Sequence, residues 1–340
     1  APYQEIRVES PAQVTQELER LVPGRWRLWH IAFDGADPQQ IVRGLLETHA
    51  VLAERHQVPG AVVSTYLLPL QPQFRPRLRS QGPAVEFQGG LSLEQAALAE
   101  AQVQYREKIG LTLEWRARSK IENNIAISLR LLDERGRQWV SQDQWIVNGN
   151  GRSTAHWVEG HASTSQHTLD LPPGIPPGPY RLKMVLYLAD SLQPLPALSG
   201  VARPGATELE LFALEVRPAQ IPPTVAELKL KQPLGVTLAD GVELLGCEIL
   251  AATVQAGQDL PLKLWWRTTH PVTSTYQAHL MLLDSKGDQR GDAIVELASA
   301  RHPTTNWIAN EVIEGRYGLE VAAEAAAGEA ILGVELVGIQ

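Results

Sequence analysis

The chain of 340 residues has little of three things that mark common protein classes. It has one cysteine, Cys247, so an internal disulfide and a cysteine-based zinc site are both excluded. It has no basic excess: 30 Lys and Arg against 38 Asp and Glu give a net charge of −8, which disfavours a nucleic-acid partner. Its longest apolar stretches, Gly60–Leu70 and Ala330–Ile339, fall short of the ~20 residues that span a bilayer. We therefore expect a soluble polypeptide, without a signal-peptide pattern at its start.

Enzyme signatures are also missing. There is no phosphate-binding P-loop, no G-x-S-x-G nucleophile elbow and no H-E-x-x-H motif, so we predict no catalytic residue and no cofactor. His156, His161 and His167 lie close in sequence, but spacings of five and six fit no common metal-ligand pattern. His49 and His56 form one i,i+7 pair on a predicted helix. We interpret both groups as surface histidines and predict no metal site.

What the sequence does contain is an internal repeat. Residues 111–137 align without a gap with residues 262–288, and nine of the 27 pairs are identical. Both segments begin Leu-x-Leu-x-Trp-Arg and end Leu-Leu-Asp-x-x-Gly. The match continues at an offset of 150, where Trp157 aligns with Trp307. The repeat predicts two copies of one domain.

Each copy shows the period-2 alternation of a β-strand with one buried face, as in Leu111, Leu113 and Trp115. The segments that begin at Asp133 and Asp284 predict tight turns, because Asp accepts nearby backbone hydrogen bonds and the following Gly permits a positive φ. Some six to eight short strands per copy, separated by such turns, are typical of an immunoglobulin-like antiparallel β-sandwich.

The first 70 residues differ in kind. They predict three strands covered by two helices, in the order β-α-β-α-β: Tyr3–Val8, Pro11–Leu21, Arg25–Phe33, a helix that starts at Asp37 and carries Leu52, and Gly60–Leu70.

The predicted fold class is therefore mainly β, with two tandem immunoglobulin-like antiparallel β-sandwiches preceded by a small α/β segment. The predicted boundaries are 1–70 for the α/β segment, 71–83 for a linker, 84–217 for the first sandwich, 218–225 for a second linker and 226–340 for the second sandwich. Arg75, Arg77 and Arg79 alternate in the first linker. A solvated linker accounts for them, and a weak contact with anionic lipid headgroups is the alternative.

Four tryptophans occupy matching positions in the two copies: Trp115 with Trp266, and Trp157 with Trp307. Large aromatic residues at repeated sites of a sandwich usually join its two sheets. We therefore predict that these four indoles belong to the two cores.

Trp139 and Trp145 have no counterpart in the second copy. On a regular strand, Trp139, Asp143 and Trp145 share one face. Two indoles with an acceptor between them could stack on sugar rings and bind their hydroxyl groups. These three residues are our candidate glycan contacts, and ordinary packing against a linker or a neighbouring domain is the alternative.

Several of these motifs together resemble a known family. The Leu-x-Leu-x-Trp-Arg strand, the Leu-Leu-Asp-x-x-Gly turn, a Trp some twenty residues later and the proline-rich run that starts at Leu171 are similar to sandwich domains of certain bacterial glycosyltransferases. Those sandwiches follow the membrane part of multi-spanning enzymes related to dolichyl-phosphate-mannose–protein mannosyltransferases. The Trp-Arg-Leu-Trp run within 25–55 is similar to the α/β segment that follows the last membrane helix in that family.

The resemblance implies a non-catalytic function, because in that family the catalytic acidic residues lie in loops between membrane helices. We expect an extracytoplasmic spacer or recognition module of a membrane glycosyltransferase-like protein. Glycans or other cell-envelope components would be its partners, and it would meet a membrane only through a parent chain. A free carbohydrate-binding or adhesion module is the alternative from another class.

Overall fold

In a computed structural model, the structure describes the whole chain except residues 1–4, 7, 9, 10, 38–40, 70, 71, 73, 75–77, 80–83, 149–151, 201, 202 and 340. The protein is mainly β, with several antiparallel sheets, as the sequence predicts. It divides into two compact units, one formed by 1–171 with 179–215 and the other by 172–178 with 216–340. Within the described residues, no helix has both the length and the apolar character needed to cross a membrane.

The α/β segment belongs to the first unit. Its elements are α1 (Pro11–Leu21), β1 (Arg27–Phe33), α2 (Ile41–His49), β2 (Val51–Val58) and β3 (Ala61–Leu67). The three strands form an antiparallel sheet in the order β1-β3-β2. One face of the sheet packs on the helices, around a core that includes Leu18, Leu46 and Tyr66.

Two predictions for this segment are corrected. Glu5, Ile6 and Val8 do not lie in a strand, and the rest of the strand predicted over 3–8 is outside the described residues. The predicted helix that carries Leu52 ends at His49, and Leu52 and His56 lie on β2 instead. The hairpin to β3 explains the change, because seven residues of β2 pair with β3 and so satisfy the backbone there as strand.

The first sandwich is also part of the first unit, and each of its strands pairs with at least one neighbour. The strands are β4 (Leu78–Arg79), β5 (Val85–Phe87), β6 (Leu91–Leu98), β7 (Gln102–Val103), β8 (Lys108–Ala117), β9 (Ile125–Asp133), β10 (Gln138–Trp145), β11 (Ala162–Asp170), β12 (Gly178–Leu188), β13 (Ala197–Ser199) and β14 (Leu209–Val216). One sheet has the order β11-β8-β6-β5-β13, with β4 also paired to β6, and the other has the order β10-β9-β12-β14-β7.

The second sandwich has seven described strands. They are β15 (Pro233–Thr237), β16 (Val242–Ile249), β17 (Asp259–Thr268), β18 (Thr275–Asp284), β19 (Gln289–Glu296), β20 (Val312–Glu320) and β21 (Ala330–Ile339). The two sheets have the orders β15-β16-β17-β20 and β19-β18-β21.

The two sandwiches repeat the same strand order. The order β10-β9-β12 of the first matches β19-β18-β21 of the second, and β11-β8-β6 matches β20-β17-β16. The turns match as well. The Asp133 carboxylate accepts the N–H groups of residues 135 and 137, the Asp284 carboxylate accepts those of 286 and 288, and Gly136 and Gly287 have φ of 76° and 83°. In both copies, the turn therefore relies on the same two residue types.

Four matching tryptophans lie at the centres of the cores. Trp115, Trp157, Trp266 and Trp307 are at most 2% exposed. The Trp115 indole N–H donates to Ser165 Oγ at 3.0 Å, and that of Trp266 donates to Tyr317 Oη at the same distance. Each buried indole N–H thus has an acceptor, as burial requires.

Candidate functional site

The structure separates the two tryptophans that the sequence places on one face. Trp139 is 7% exposed, whereas Trp145 is 54% exposed. The cause is a β-bulge: on β10, Gln138 pairs with Leu132 and Val140 with Leu131, so Trp139 is an extra residue that breaks the alternation. Its indole N–H donates to Asp133 Oδ2 at 3.1 Å. The expected pair of indoles on one face is therefore corrected to a single exposed indole.

The sheet gives Trp145 a different aromatic neighbour. Trp145 on β10 pairs with Ala126 on β9, and Ala126 also pairs with Tyr187 on β12. Cross-strand partners point to the same side of a sheet, so the indole and the phenol flank a small alanine. With strands ~4.8 Å apart, the two aromatic side chains start about 10 Å from each other. Ala126 is only 1% exposed, so this row forms a covered surface and not an open groove.

Polar groups lie at one side of this surface. Tyr187 Oη donates a hydrogen bond to Asp143 Oδ1 at 3.2 Å, and both groups are accessible to solvent. Partial burial and then the charge of Asp143 raise the pKa of Tyr187, so the phenol remains a donor at neutral pH. We call Ala126, Asp143, Trp145 and Tyr187 together the Trp145 face.

The charges next to the Trp145 face are balanced. Lys183 Nζ lies 2.6 Å from Glu208 Oε2, and Arg130 Nη1 lies 3.9 Å from Glu208 Oε1. Arg130 Nε also donates to Ser128 Oγ at 3.3 Å. Together with Asp143, two carboxylates lie near these two cations, so the surroundings suit an uncharged polar ligand better than a strongly anionic one.

The second sandwich lacks this arrangement. Gln277 stands at the position of Ala126, and it pairs with Glu296 on β19 and Val337 on β21. Gln277 Nε2 donates to Glu296 Oε1 at 2.8 Å. This row has no aromatic side chain, so the two copies share a framework and differ in the surface that they offer.

The histidines considered as metal ligands occupy different environments. His156 is exposed, and the ring of His161 packs on that of Trp157, with 4.7 Å between the two ring centres. His167 is 3% exposed, so its assignment to the surface is corrected. Ser165 Oγ and Gln144 Oε1 bind its two ring nitrogens at 2.8 and 3.0 Å, and burial lowers its pKa to about 4. His167 is therefore a neutral core residue, and no cluster that could hold a metal ion occurs in the described part of the chain.

A second surface was not assigned from the sequence. On the three-stranded sheet, the face away from the helices carries Trp29, Ile31 and Phe33, which are 56%, 47% and 61% exposed. We call this surface the aromatic face, and it is completed by Val51, Val58 and Leu67. The alternation of β1 is visible in the sequence, but it does not reveal which face the helices cover.

A cavity of about 580 Å³ runs beside β1 and is lined by residues of α1, β1 and α2. His30 lines it, and burial, followed by the charges of Arg55 and Arg43, lowers the pKa of His30 to about 4. His30 is therefore neutral at physiological pH and adds no positive charge to the cavity.

Comparisons with known proteins give little further guidance. No protein-family model and no curated protein matches the chain. One solved structure, described as the crystal structure of the C-terminal domain of Wzt, aligns with 43% of this chain and 84% of its own, at 12% identity and a TM-score of 0.31. Similarity at this level assigns no function. The resemblance to mannosyltransferase-related enzymes therefore rests on the sequence motifs alone.

Proposed function

We propose that this protein is a non-catalytic recognition module that binds glycans on the Trp145 face of its first sandwich. The observation that carries the proposal is the row Trp145–Ala126–Tyr187, with Asp143 hydrogen-bonded to Tyr187. The second aromatic contact is thus Tyr187, in place of Trp139.

The chemistry of the Trp145 face suits a sugar. The exposed indole of Trp145 offers a flat apolar surface to the C–H groups of a pyranose ring. The Asp143 carboxylate accepts hydrogen bonds from sugar hydroxyls, and the Tyr187 oxygen can accept one while its O–H donates to Asp143. A few polar groups beside an aromatic surface are the usual composition of a small-ligand site.

The expected affinity is low. The Trp145 face is a surface and not a pocket, and both sugar and protein give up hydrogen bonds to water, so each new bond contributes only about 0.5–1.5 kcal/mol. A single stacking surface adds a similar amount. We expect a dissociation constant of about 1 mM, or about −4 kcal/mol. A module of this kind gains useful affinity when several copies, or a parent chain, hold it near its ligand.

The sequence resemblance supports a cellular context for this module. We propose that it is an extracytoplasmic part of a membrane glycosyltransferase-like protein, tethered through that parent chain. A free carbohydrate-binding or adhesion module is the alternative, and it would use the same face. The parent reading frame separates the two, since about ten hydrophobic spans upstream, each ~20 residues long, favour the first.

Titration with methyl α-mannoside and with chitobiose, each to about 10 mM, tests the binding proposal, since that is ten times the expected dissociation constant. We expect Trp145→Ala to weaken binding at least tenfold. Tyr187→Phe removes one hydrogen-bonding group and should weaken binding about fivefold.

Trp26→Ala is the matched control, because Trp26 is also exposed, at 67%, and lies in the α/β segment. It should leave the affinity unchanged. Binding that survives Trp145→Ala, or submicromolar affinity, would refute a shallow site at this face. Turnover of a sugar donor by the isolated chain would refute the non-catalytic assignment.

A further inference from the structure

We propose that the aromatic face is a docking surface for a membrane that contains anionic lipids. The arginine-bearing end of this face contacts the membrane first. This function is separate from glycan binding at the Trp145 face. It also departs from the expectation that the chain meets a membrane only through a parent chain.

The first argument is the concentration of exposed apolar side chains. Trp29, Ile31 and Phe33 alternate along β1 and lie on one face with Leu67 of β3 and Val51 of β2. Trp26, just before β1, is 67% exposed. A hydrophobic sheet face normally packs against another element, and a contiguous exposed patch of this kind marks an interaction surface.

The second argument is the placement of cations at one end of this face. Arg27 is paired with Leu67, and Leu67 with Val51, so these three residues form the end row of the sheet. The guanidinium of Arg27 lies 4.5 Å from the ring centre of Trp26 and 5.8 Å from that of Trp29. Arg25 is exposed next to it. Indoles with arginines beside them are the side chains that membrane interfaces favour, since the rings occupy the headgroup region and the guanidinium reaches a phosphate.

The anionic groups near the face lie elsewhere on it or at its margin. Asp34 follows the opposite end of β1, and Glu54 on β2 has His56 Nε2 3.6 Å from its carboxylate. Glu5 is exposed and lines the same cavity as Arg25 and Arg27. The net positive end is therefore the one that carries Arg25, Trp26 and Arg27. Because this end alone complements an anionic surface, we infer a tilted approach with the Arg27 end of β1 lowest.

The size of the face argues for a membrane rather than for a second copy of the chain. Three strands of about seven residues cover roughly 14 Å by 23 Å, or roughly 330 Å² in plan. Two copies face to face would bury roughly twice that area, whereas stable protein interfaces bury at least about 1,200 Å². Binding to a bilayer requires no minimum buried area, because each inserted side chain and each cation near a phosphate contributes separately to the binding free energy.

Co-sedimentation of the full chain with vesicles tests the proposal. We expect binding to vesicles of phosphatidylcholine and phosphatidylglycerol at a ratio of about 7:3, and weaker binding to phosphatidylcholine alone. Trp29→Ser/Phe33→Ser should lower the partition coefficient at least tenfold. Arg25→Gln/Arg27→Gln should lower it about fivefold per arginine on anionic vesicles, and much less on neutral ones.

The control is Ile221→Ser/Ile331→Ser, since these isoleucines are 67% and 69% exposed and lie outside the α/β segment. It should bind vesicles as the unmodified protein does, and circular dichroism should show every variant folded. Absence of vesicle binding, or binding unchanged by Trp29→Ser/Phe33→Ser, would overturn the proposal. Concentration-dependent dimers that this variant abolishes, without any vesicle binding, would overturn it in favour of a second copy.

Discussion

Glu47 offers the sharpest test of how the α/β segment is held on the first sandwich. Its side chain is 1% exposed and lies among three cations. Arg43 Nε is 2.8 Å from Glu47 Oε1, Arg55 binds the same oxygen, and Lys108 Nζ from β8 is 3.3 Å from Oε2. Thr168 on β11 also donates to Oε2 at 3.5 Å. One carboxylate on α2 thus joins both parts of the first unit.

The electrostatics give the expected magnitude. Burial alone raises the pKa of Glu47, but hydrogen bonds from Arg43 and Arg55 and the charge of Lys108 outweigh it and lower the pKa from 4.5 to about 2. At 1.36 kcal/mol per pH unit, this corresponds to about 3 kcal/mol of stability. Because the folded pKa is the lower one, that stability is present above pH 4.5 and is lost as the pH falls towards 2. About 1.4 kcal/mol of it remains at pH 3.

We therefore expect Glu47→Gln to destabilise the first unit by about 3 kcal/mol at pH 7, because three cations lose their buried partner. The difference from the unmodified protein should shrink to less than half at pH 3. Urea denaturation followed by circular dichroism at both pH values measures this. Glu54→Gln is the control, since Glu54 is 67% exposed. A cost below about 0.5 kcal/mol for Glu47→Gln at pH 7, or equal pH dependence in both proteins, would refute the reasoning.

Three further substitutions test the cores and the repeated turn. The stability of each variant is measured by denaturation of the unit that carries the substitution. Trp266→Ala should cost about 3–5 kcal/mol, because it empties a fully buried site, and a cost near zero would contradict the core assignment. Gly315→Ala should cost about 1–3 kcal/mol, since the new Cβ would lie 1.9 Å from Tyr317 Oη, and a neutral result would contradict that packing. Asp133→Ala should cost about 1–3 kcal/mol, because the Asp133 carboxylate accepts the Trp139 indole and two backbone N–H groups, and unchanged stability would show that the turn does not need them.

The local features of the sandwiches were predictable because they depend on nearby residues. The alternation around Trp115 and the Asp and Gly of the Asp133 turn act within a few positions, and the repeat supplies a second example of each. The matching indoles of Trp115 and Trp266 followed from the same repetition. Their acceptors did not, since Ser165 in one copy and Tyr317 in the other lie some 50 residues away on a neighbouring strand.

The candidate site depends on the register in which the strands pair, and this register cannot be read from the sequence. One extra residue, Trp139, reverses the faces of β10, and a bulge leaves no mark in a pattern of alternating side chains. Tyr187 and Trp145 lie in one row of the sheet only because β9 pairs with both of their strands. The aromatic face was missed for a related reason: apolar alternation on β1 predicts a buried face, and only the structure shows the helices on the other side of the sheet.

The most direct test of the central claim, glycan binding at the Trp145 face, uses the indole N–H signals of the nine tryptophans in a ¹⁵N correlation spectrum. Trp145→Phe identifies the signal of Trp145, and methyl α-mannoside and chitobiose are then added to about 10 mM each. We predict a saturable shift of the Trp145 signal with either sugar, while the signals of the buried Trp115 and Trp266 stay in place. No shift of Trp145 with either sugar, or shifts confined to Trp26 and Trp29, would contradict the assignment of the glycan site.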